Sequence, residues 1–180
     1  MEHLFDVRPE DMGRFKKLSV VVGMQPSFCC GTNEPQDEAQ QWGSVERTGA
    51  TLVFSSDWPC TFPPNPLVGI QEAVTRARYP AGHIGVVPPS RFNSPEGSAA
   101  QDQPLSIGAA SQRLSVEDAF AAYLHGAYAE AAEDRLGSLE KGKYADLVVL
   151  SQNLFEVRPE QIGSIQVDLT MVDGKVVYQR

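Results

Sequence analysis

Two short apolar runs, one helix-length apart, constrain this chain more than anything else in it. Leu18-Ser19-Val20-Val21-Val22-Gly23-Met24 and Thr51-Leu52-Val53-Phe54 carry branched or apolar side chains at almost every position. A strand with one wet face alternates; a run that does not alternate is buried on both faces, as in a parallel sheet. Parallel neighbours need a crossover, usually a helix. Residues 39–47 supply a polar helix candidate there, with Trp42 and Val45 as its apolar points. Glu2 to Phe5 reads as a short strand-like start, and Pro9-Glu10-Asp11 as a helix opening, with Pro in the first turn and acids where the helix dipole favours them. Asn65-Pro66 is a cap followed by Pro, after which Leu67, Ile70, Val74 and Ala77 recur at helical spacing. Strand, helix, strand, helix is the signature of an α/β fold.

The second half reads differently. Residues 79–113 are rich in Pro, Gly, Ser and Gln and read as a long loop or insertion. Ser115 caps a helix with Asp118 three residues on, and Val116, Phe120, Leu124 and Ala127 share one face of it. That helix ends before Gly137. Beyond it the chain is β: Asp146 to Leu150 is a strand, and Val167, Leu169 and Met171 alternate with Asp168 and Thr170, which predicts one wet face. Asp173-Gly174 is a two-residue hairpin turn leading into Lys175 to Tyr178. The word Val-Arg-Pro-Glu occurs at 7–10 and again at 157–160, as two similar helix openings without a repeat around them.

Charge narrows the partners. With a net charge of -8, the chain repels phosphate backbones, so nucleic acid is not an expected partner. No apolar run reaches the ~18 residues that span a bilayer, and no basic amphipathic stripe suggests a membrane surface. The start lacks a basic, then apolar, export pattern. Three cysteines, Cys29, Cys30 and Cys60, two of them adjacent, make a poor disulfide framework. They read first as small packing residues; a cysteine-based redox role needs a reactive thiol among them. A cytoplasmic setting is the expectation.

Two residues could carry chemistry. His3 lies in the first strand-like segment, and Asp57 lies just past a buried strand, in Ser55-Ser56-Asp57-Trp58-Pro59. In parallel α/β folds ligands bind at the carboxyl ends of the strands. A carboxylate displayed there can hold a metal or act as general base, and imidazole is a common metal ligand. The plain alternatives stand beside these: a His near a terminus as a surface residue, an Asp after a strand as a turn or helix cap. Spacing alone does not define a metal site, because catalytic zinc keeps three protein ligands. His83, within the loop, and His125, with no partner at i+4, are weaker candidates.

The words of the sequence say more than its spacings. Ser56-Asp57-Trp58-Pro59, Asn65-Pro66-Leu67 and Ala73-Val74-Thr75-Arg76 together resemble the last barrel strand and following helix of the amidohydrolase superfamily. Within it the resemblance is to the metal-dependent amidohydrolase 3 family, which includes the N-substituted formamide deformylases. Leu114-Ser115-Val116-Glu117-Asp118-Ala119 is similar to that family's late helix, and the run from Gly137 to Leu150 to its return strand. Val172 to Tyr178 matches the closing hairpin, Glu2-His3 the pair ending the sixth barrel strand, and Met24-Gln25-Pro26-Ser27 the word after the seventh.

The resemblance implies an α/β fold comprising the last three strands of a (β/α)8 TIM barrel, over residues 1–136 with the insertion at 79–113. A segment of a small β-sandwich domain follows at 137–180, making the whole a composite. It implies His3 and Asp57 as ligands of a divalent metal, zinc, with Asp57 also the base that moves a proton from the attacking water to the leaving nitrogen. Gln25, Trp58 and Pro59 would line the substrate pocket. The reaction implied is hydrolysis of a non-peptide carbon–nitrogen bond of a small amide or formamide. The family's His-x-His pair, bridging residue and fifth-strand histidine have no counterpart here, and Phe28 stands where many relatives carry a histidine. The expectation is therefore a C-terminal portion, with Met1 an internal start or a second chain supplying the rest, and with little activity by itself. A non-catalytic module that joins another subunit is the second reading.

Overall fold

A computed structural model of the chain describes residues 1–4, 7–27, 40–58, 64–77, 109–131 and 135–180. Two short helices, α1 (Pro9–Met12) and α2 (Arg14–Lys17), precede strand β1 (Val22–Met24). Helix α3 (Trp42–Arg47) leads to β2 (Leu52–Phe54), and α4 (Pro66–Thr75) follows. Helix α5 (Val116–Ala131) then gives way to β3 (Leu147–Leu150), β4 (Val167–Val172) and β5 (Lys175–Gln179). Strands β1 and β2 pair in parallel, Val22 opposite Leu52 and Met24 opposite Phe54. Strands β3, β4 and β5 form a separate antiparallel sheet in that order. Among the described residues, no helix is long and apolar enough to cross a membrane.

Local signals act where the sequence put them. Asn65 Oδ1 accepts the Leu67 N–H at 3.0 Å, so the cap and the Pro behind it start α4. Ser115 Oγ accepts the Asp118 N–H at 3.0 Å and donates to Asp118 Oδ2 at 2.6 Å. Both copies of Val-Arg-Pro-Glu open short helical turns: Pro9–Met12 is α-helical and Pro159–Ser164 is 3₁₀. Asp173 and Gly174 both have positive φ, 48° and 74°, as a tight hairpin turn requires.

The core lies between the parallel strands and the helices. Val22, Met24, Leu52 and Phe54 are buried, and Trp42, Val45, Ile70 and Ala73 pack with them. Trp42 meets Phe54 edge-on at 5.9 Å, and Phe54 meets Tyr123 at 5.6 Å. Arg76 is buried with its guanidinium 4.1 Å above the Trp42 ring and its Nη1 donating to the Gln40 carbonyl at 3.1 Å. Such a desolvated cation–π contact contributes on the order of 2 kcal/mol. The tail joins this core through its 3₁₀ turn: Leu154, Ile162 and Ile165 are buried in it. Gly163 N–H donates to Gln71 Oε1 on α4 at 2.8 Å.

Three expectations change. The first apolar run is strand only over Val22–Met24; Ser19 has φ 51° and Leu18 is exposed, because the chain is still turning out of α2 there. Helix α5 turns Val116 and Phe120 to the core beside the fully buried Ala119 and Ala122, whereas Leu124, expected on the same face, is 39% exposed. Further along, α5 runs close over β2: a Cβ on Gly126 would lie 3.5 Å from the Phe54 carbonyl. The tail sheet has no single wet face, since β4 is half-buried along most of its length and every residue of β5 is exposed. Among the described residues nothing covers either side of it fully. The expected loop falls outside the described residues over 79–108, and Cys29, Cys30, Cys60, His83, Phe28 and Pro59 also lie outside them.

Two predictions follow from the packing. Gly69 sits in the middle of α4 with the Tyr123 hydroxyl where its Cβ would be. Burial, with the Glu72 carboxylate near it, pushes the pKa of that hydroxyl well up, so it stays neutral. Gly69→Ala is expected to lower stability by about 1–3 kcal/mol in urea unfolding, as overpacking does. Adding Tyr123→Phe should return part of the loss; an unchanged midpoint in the single variant would contradict this packing.

The second concerns Asp11, which accepts from Arg14 Nη1 and from Arg8 Nη2, each at 2.7 Å. The Arg14 and Arg8 hydrogen bonds hold its pKa below the ordinary 3.8. A carboxyl with a lowered folded pKa stabilises the fold above its unfolded value and loses that contribution as pH falls through the lowered one. The Tm gap between the parent and Asp11→Asn is therefore expected at neutral pH and should close in acid below the ordinary value. A gap that persists there would mean that the ion pairs are not its source.

Candidate functional site

The site forms where three chain segments end side by side. Met1 N donates to the Val21 carbonyl at 2.7 Å, Gly23 N–H to the Met1 carbonyl at 2.7 Å, and Leu4 N–H to the Gly23 carbonyl at 3.3 Å. These bonds run the first segment parallel to β1. In a regular parallel ladder one residue's N–H and C=O reach partners two apart. Here Gly23 reaches Met1 and Leu4, three apart, so one extra residue is accommodated. His3, with φ 55°, lies within that insertion. Such a bulge re-aims a side chain, and bulges concentrate beside active sites.

The other half of the site follows β2. Ser55 N–H donates to the Met24 carbonyl at 3.1 Å, which extends the parallel pairing past Phe54. Two residues on, Asp57 has φ 52°. An aspartate tolerates the left-handed region better than most residues, but it still carries strain there. The two re-aimed side chains meet: His3 Nε2 is 3.5 Å from Asp57 Oδ1, with the side chains 45% and 27% exposed. Two ligand atoms about 2.0–2.2 Å from one tetrahedral ion stand roughly 3.4 Å apart, so an imidazole and a carboxylate in this arrangement suit zinc. Among the described residues no group of three or more His, Cys, Asp or Glu gathers around a common point.

The remaining sequence candidates fall at different depths. Trp58, next to Asp57 in sequence, is 63% exposed. Gln25, expected to line the substrate pocket, is 1% exposed; its Nε2 donates to Glu2 Oε2 at 3.1 Å and to Ser55 Oγ at 3.0 Å. His125 borders a shallow cavity of about 230 Å³ with Glu46, Thr51 and Asp118, at the start of β2 and so at the opposite end of the strand from Asp57. Sequence reasoning did not single out Glu2 and Ser55 as partners of Gln25. The signal was there: Gln25 and Ser55 each stand one residue past a buried strand, where side chains of parallel neighbours adjoin.

A parallel strand pair with its polar residues at the carboxyl ends is the arrangement on which TIM-barrel enzymes build their active sites. The comparisons agree. Residues 1–178 match the amidohydrolase family, and the chain belongs to that family. It is 29% identical to the LONG AFTER FAR-RED 3 protein of Arabidopsis thaliana, over 99% of this chain and 28% of that one. It is 29% identical to an imidazolonepropionase of Clostridium tetani, over 62% of this chain and 27% of that one. To the putative amidohydrolase YtcJ of Bacillus subtilis it is 24% identical, over 93% and 29%. In structure it is similar to an uncharacterized metal-dependent hydrolase from Pyrococcus furiosus, with TM-score 0.55 and 26% identity, covering 80% of this chain and 26% of the other. The chain thus spans less than a third of the length of each of these relatives.

The backbone at Asp57 gives a stability prediction. Glycine adopts positive φ without strain, at some cost in unfolded-state entropy. Asp57→Gly should therefore leave stability within about 1 kcal/mol of the parent in denaturant unfolding, whereas a β-branched residue such as Val at 57 should cost more. A large loss with glycine would make Asp57 a structural residue instead of a strained functional one.

Proposed function

We propose that this chain is the C-terminal portion of a metal-dependent hydrolase acting on a non-peptide carbon–nitrogen bond of a small amide or formamide. Residues 1–136 contribute the last three strands of a (β/α)8 barrel with their helices, and 137–180 part of an accompanying β domain. The observation that carries this reading is the meeting of His3 Nε2 and Asp57 Oδ1 at 3.5 Å, at the carboxyl ends of parallel segments. Family membership over residues 1–178 supports it, as does likeness to a metal-dependent hydrolase. The remaining metal ligands are proposed to come from chain outside this sequence, in keeping with the relatives' length.

His3 and Asp57 would hold a divalent ion, zinc by the chemistry of imidazole and carboxylate donors. When bound, such an ion lowers the pKa of a water to about 7 and polarises the scissile carbonyl. Asp57 does the proton work: its carboxylate takes a proton from the attacking water and gives it to the leaving nitrogen. Protonating that nitrogen is what lets the carbon–nitrogen bond break without expelling an amide anion. Trp58, exposed next to Asp57, offers an apolar wall to the substrate. Pro59, adjacent in sequence, is assigned to the same wall.

In the complete enzyme, Asp57→Asn is expected to lower kcat by about 10²–10⁴-fold, the usual contribution of a positioned base, with Tm little changed. Full kcat in that variant would remove Asp57 from the mechanism. Elemental analysis of the complete enzyme should find zinc or a similar divalent ion, reduced by His3→Ala. A metal-free protein that hydrolyses no amide or formamide would instead make the chain a non-catalytic module.

A further inference from the structure

We infer that Gln25 is a positioning residue, whose buried amide ties Glu2 to Ser55 and so holds His3 and Asp57 at a common point. This rests on reading His3 and Asp57 as the metal-holding pair. Glu2 immediately precedes His3, and Ser55 lies two residues before Asp57. The Gln25 side chain lies between them, one residue past β1, and its two N–H groups go one to each neighbour, at 3.1 Å and 3.0 Å. An ionised carboxylate only accepts, so Glu2 fixes which way the amide faces. With its NH₂ committed, the amide leaves Oε1 buried without a hydrogen-bond partner among the described residues. A buried, unsatisfied carbonyl is costly and needs a reason. The reason on this geometry is the crossbrace.

The brace acts where restraint is needed. His3 and Asp57 both hold left-handed φ, 55° and 52°, which persists only when the surroundings over-determine it. Main-chain bonds to Gly23 at Met1 and Leu4 flank His3, and on the other side the pairing past Phe54 reaches Ser55, two residues before Asp57. Gly23 completes the fit, because a Cβ there would collide with the Glu2 carboxyl group. At 1% exposed, Gln25 touches its neighbours in place of a ligand, so its influence passes through Glu2 and Ser55.

A charge swap tests this. Gln25→Glu sets two carboxylates against each other; Glu2→Gln in the same chain restores a donor–acceptor pair with the roles reversed. The first readout needs no metal. In the purified 180-residue chain, nuclear Overhauser contacts between the His3 ring and the Asp57 side chain should be present, lost in Gln25→Glu and regained in the double variant. The second readout is zinc affinity of the complete enzyme by competition with a chromophoric chelator. There the single variant should weaken binding about 10–100-fold, as loss of a group supporting a ligand does, and the double variant should recover to within about threefold of the parent.

If Gln25→Glu fails to fold, Glu2→Ala, which removes the acceptor at an exposed position, should still weaken both signals. Contacts and affinity unchanged in the folded single variants would overturn the positioning role. Contacts that follow the swap in a protein that binds no zinc would leave the brace standing and sink the metal-dependent reading instead.

Discussion

The pairing of β1 with β2, continued by Met1–Leu4 along the other side of β1, sets everything else in this molecule. Parallel segments in register end together, so the residues that follow them share one small volume. Gly23 is the middle of this arrangement. It bonds Met1 and Leu4 on one side through its backbone and pairs with Val53 on the other. Lacking a Cβ, it lets the Glu2 carboxyl group lie against it. One residue too many in the first segment then turns His3 toward Asp57. The site is thus a consequence of strand register plus one local irregularity.

Packing keeps that register. The Trp42–Phe54–Tyr123 ring contacts join α3, β2 and α5, and the Arg76 guanidinium closes over Trp42 from the end of α4. Large rings fill the space between helix and sheet, while Ala119, Ala122 and Gly69 let α5 and α4 come close. A core of this kind is stiff, because interiors pack at crystal-like density. A stiff base lets the positive φ angles at His3 and Asp57 persist. The tail contributes through Ile162 and Ile165, and its Gly163–Gln71 hydrogen bond reaches the same helix, α4, whose far end carries Arg76. Its sheet touches this core through Leu150, while Val148, Val176 and Val177 are exposed.

Much of this was legible in the sequence, for physical reasons that differ by element. The caps at Asn65 and Ser115 and the turn at Asp173-Gly174 are local, so the residues that make them are adjacent in sequence. The buried runs around Val22 and Val53 show themselves by lacking alternation. His3 and Asp57 stood out through the resemblance of their words and the rule that strand ends carry chemistry. On α5, Val116 and Phe120 pack against the core as their spacing predicts, but Leu124 does not, because periodicity defines a stripe and not where along it the core ends. The single wet face expected of the tail sheet is not found, because alternation says which residues share a side but not whether anything lies against that side.

The sequence by itself determined the α/β order, the helix starts, the hairpin and the identity of the two candidate ligands, because each depends on neighbours in the chain or on a recognisable word. Only the tertiary structure decided that His3 Nε2 and Asp57 Oδ1 stand 3.5 Å apart, and that Gln25 lies buried between Glu2 and Ser55. Those facts depend on which residue of one strand lies opposite which residue of another. Register between segments some thirty residues apart is fixed by the packing of the whole core, and no local pattern encodes it.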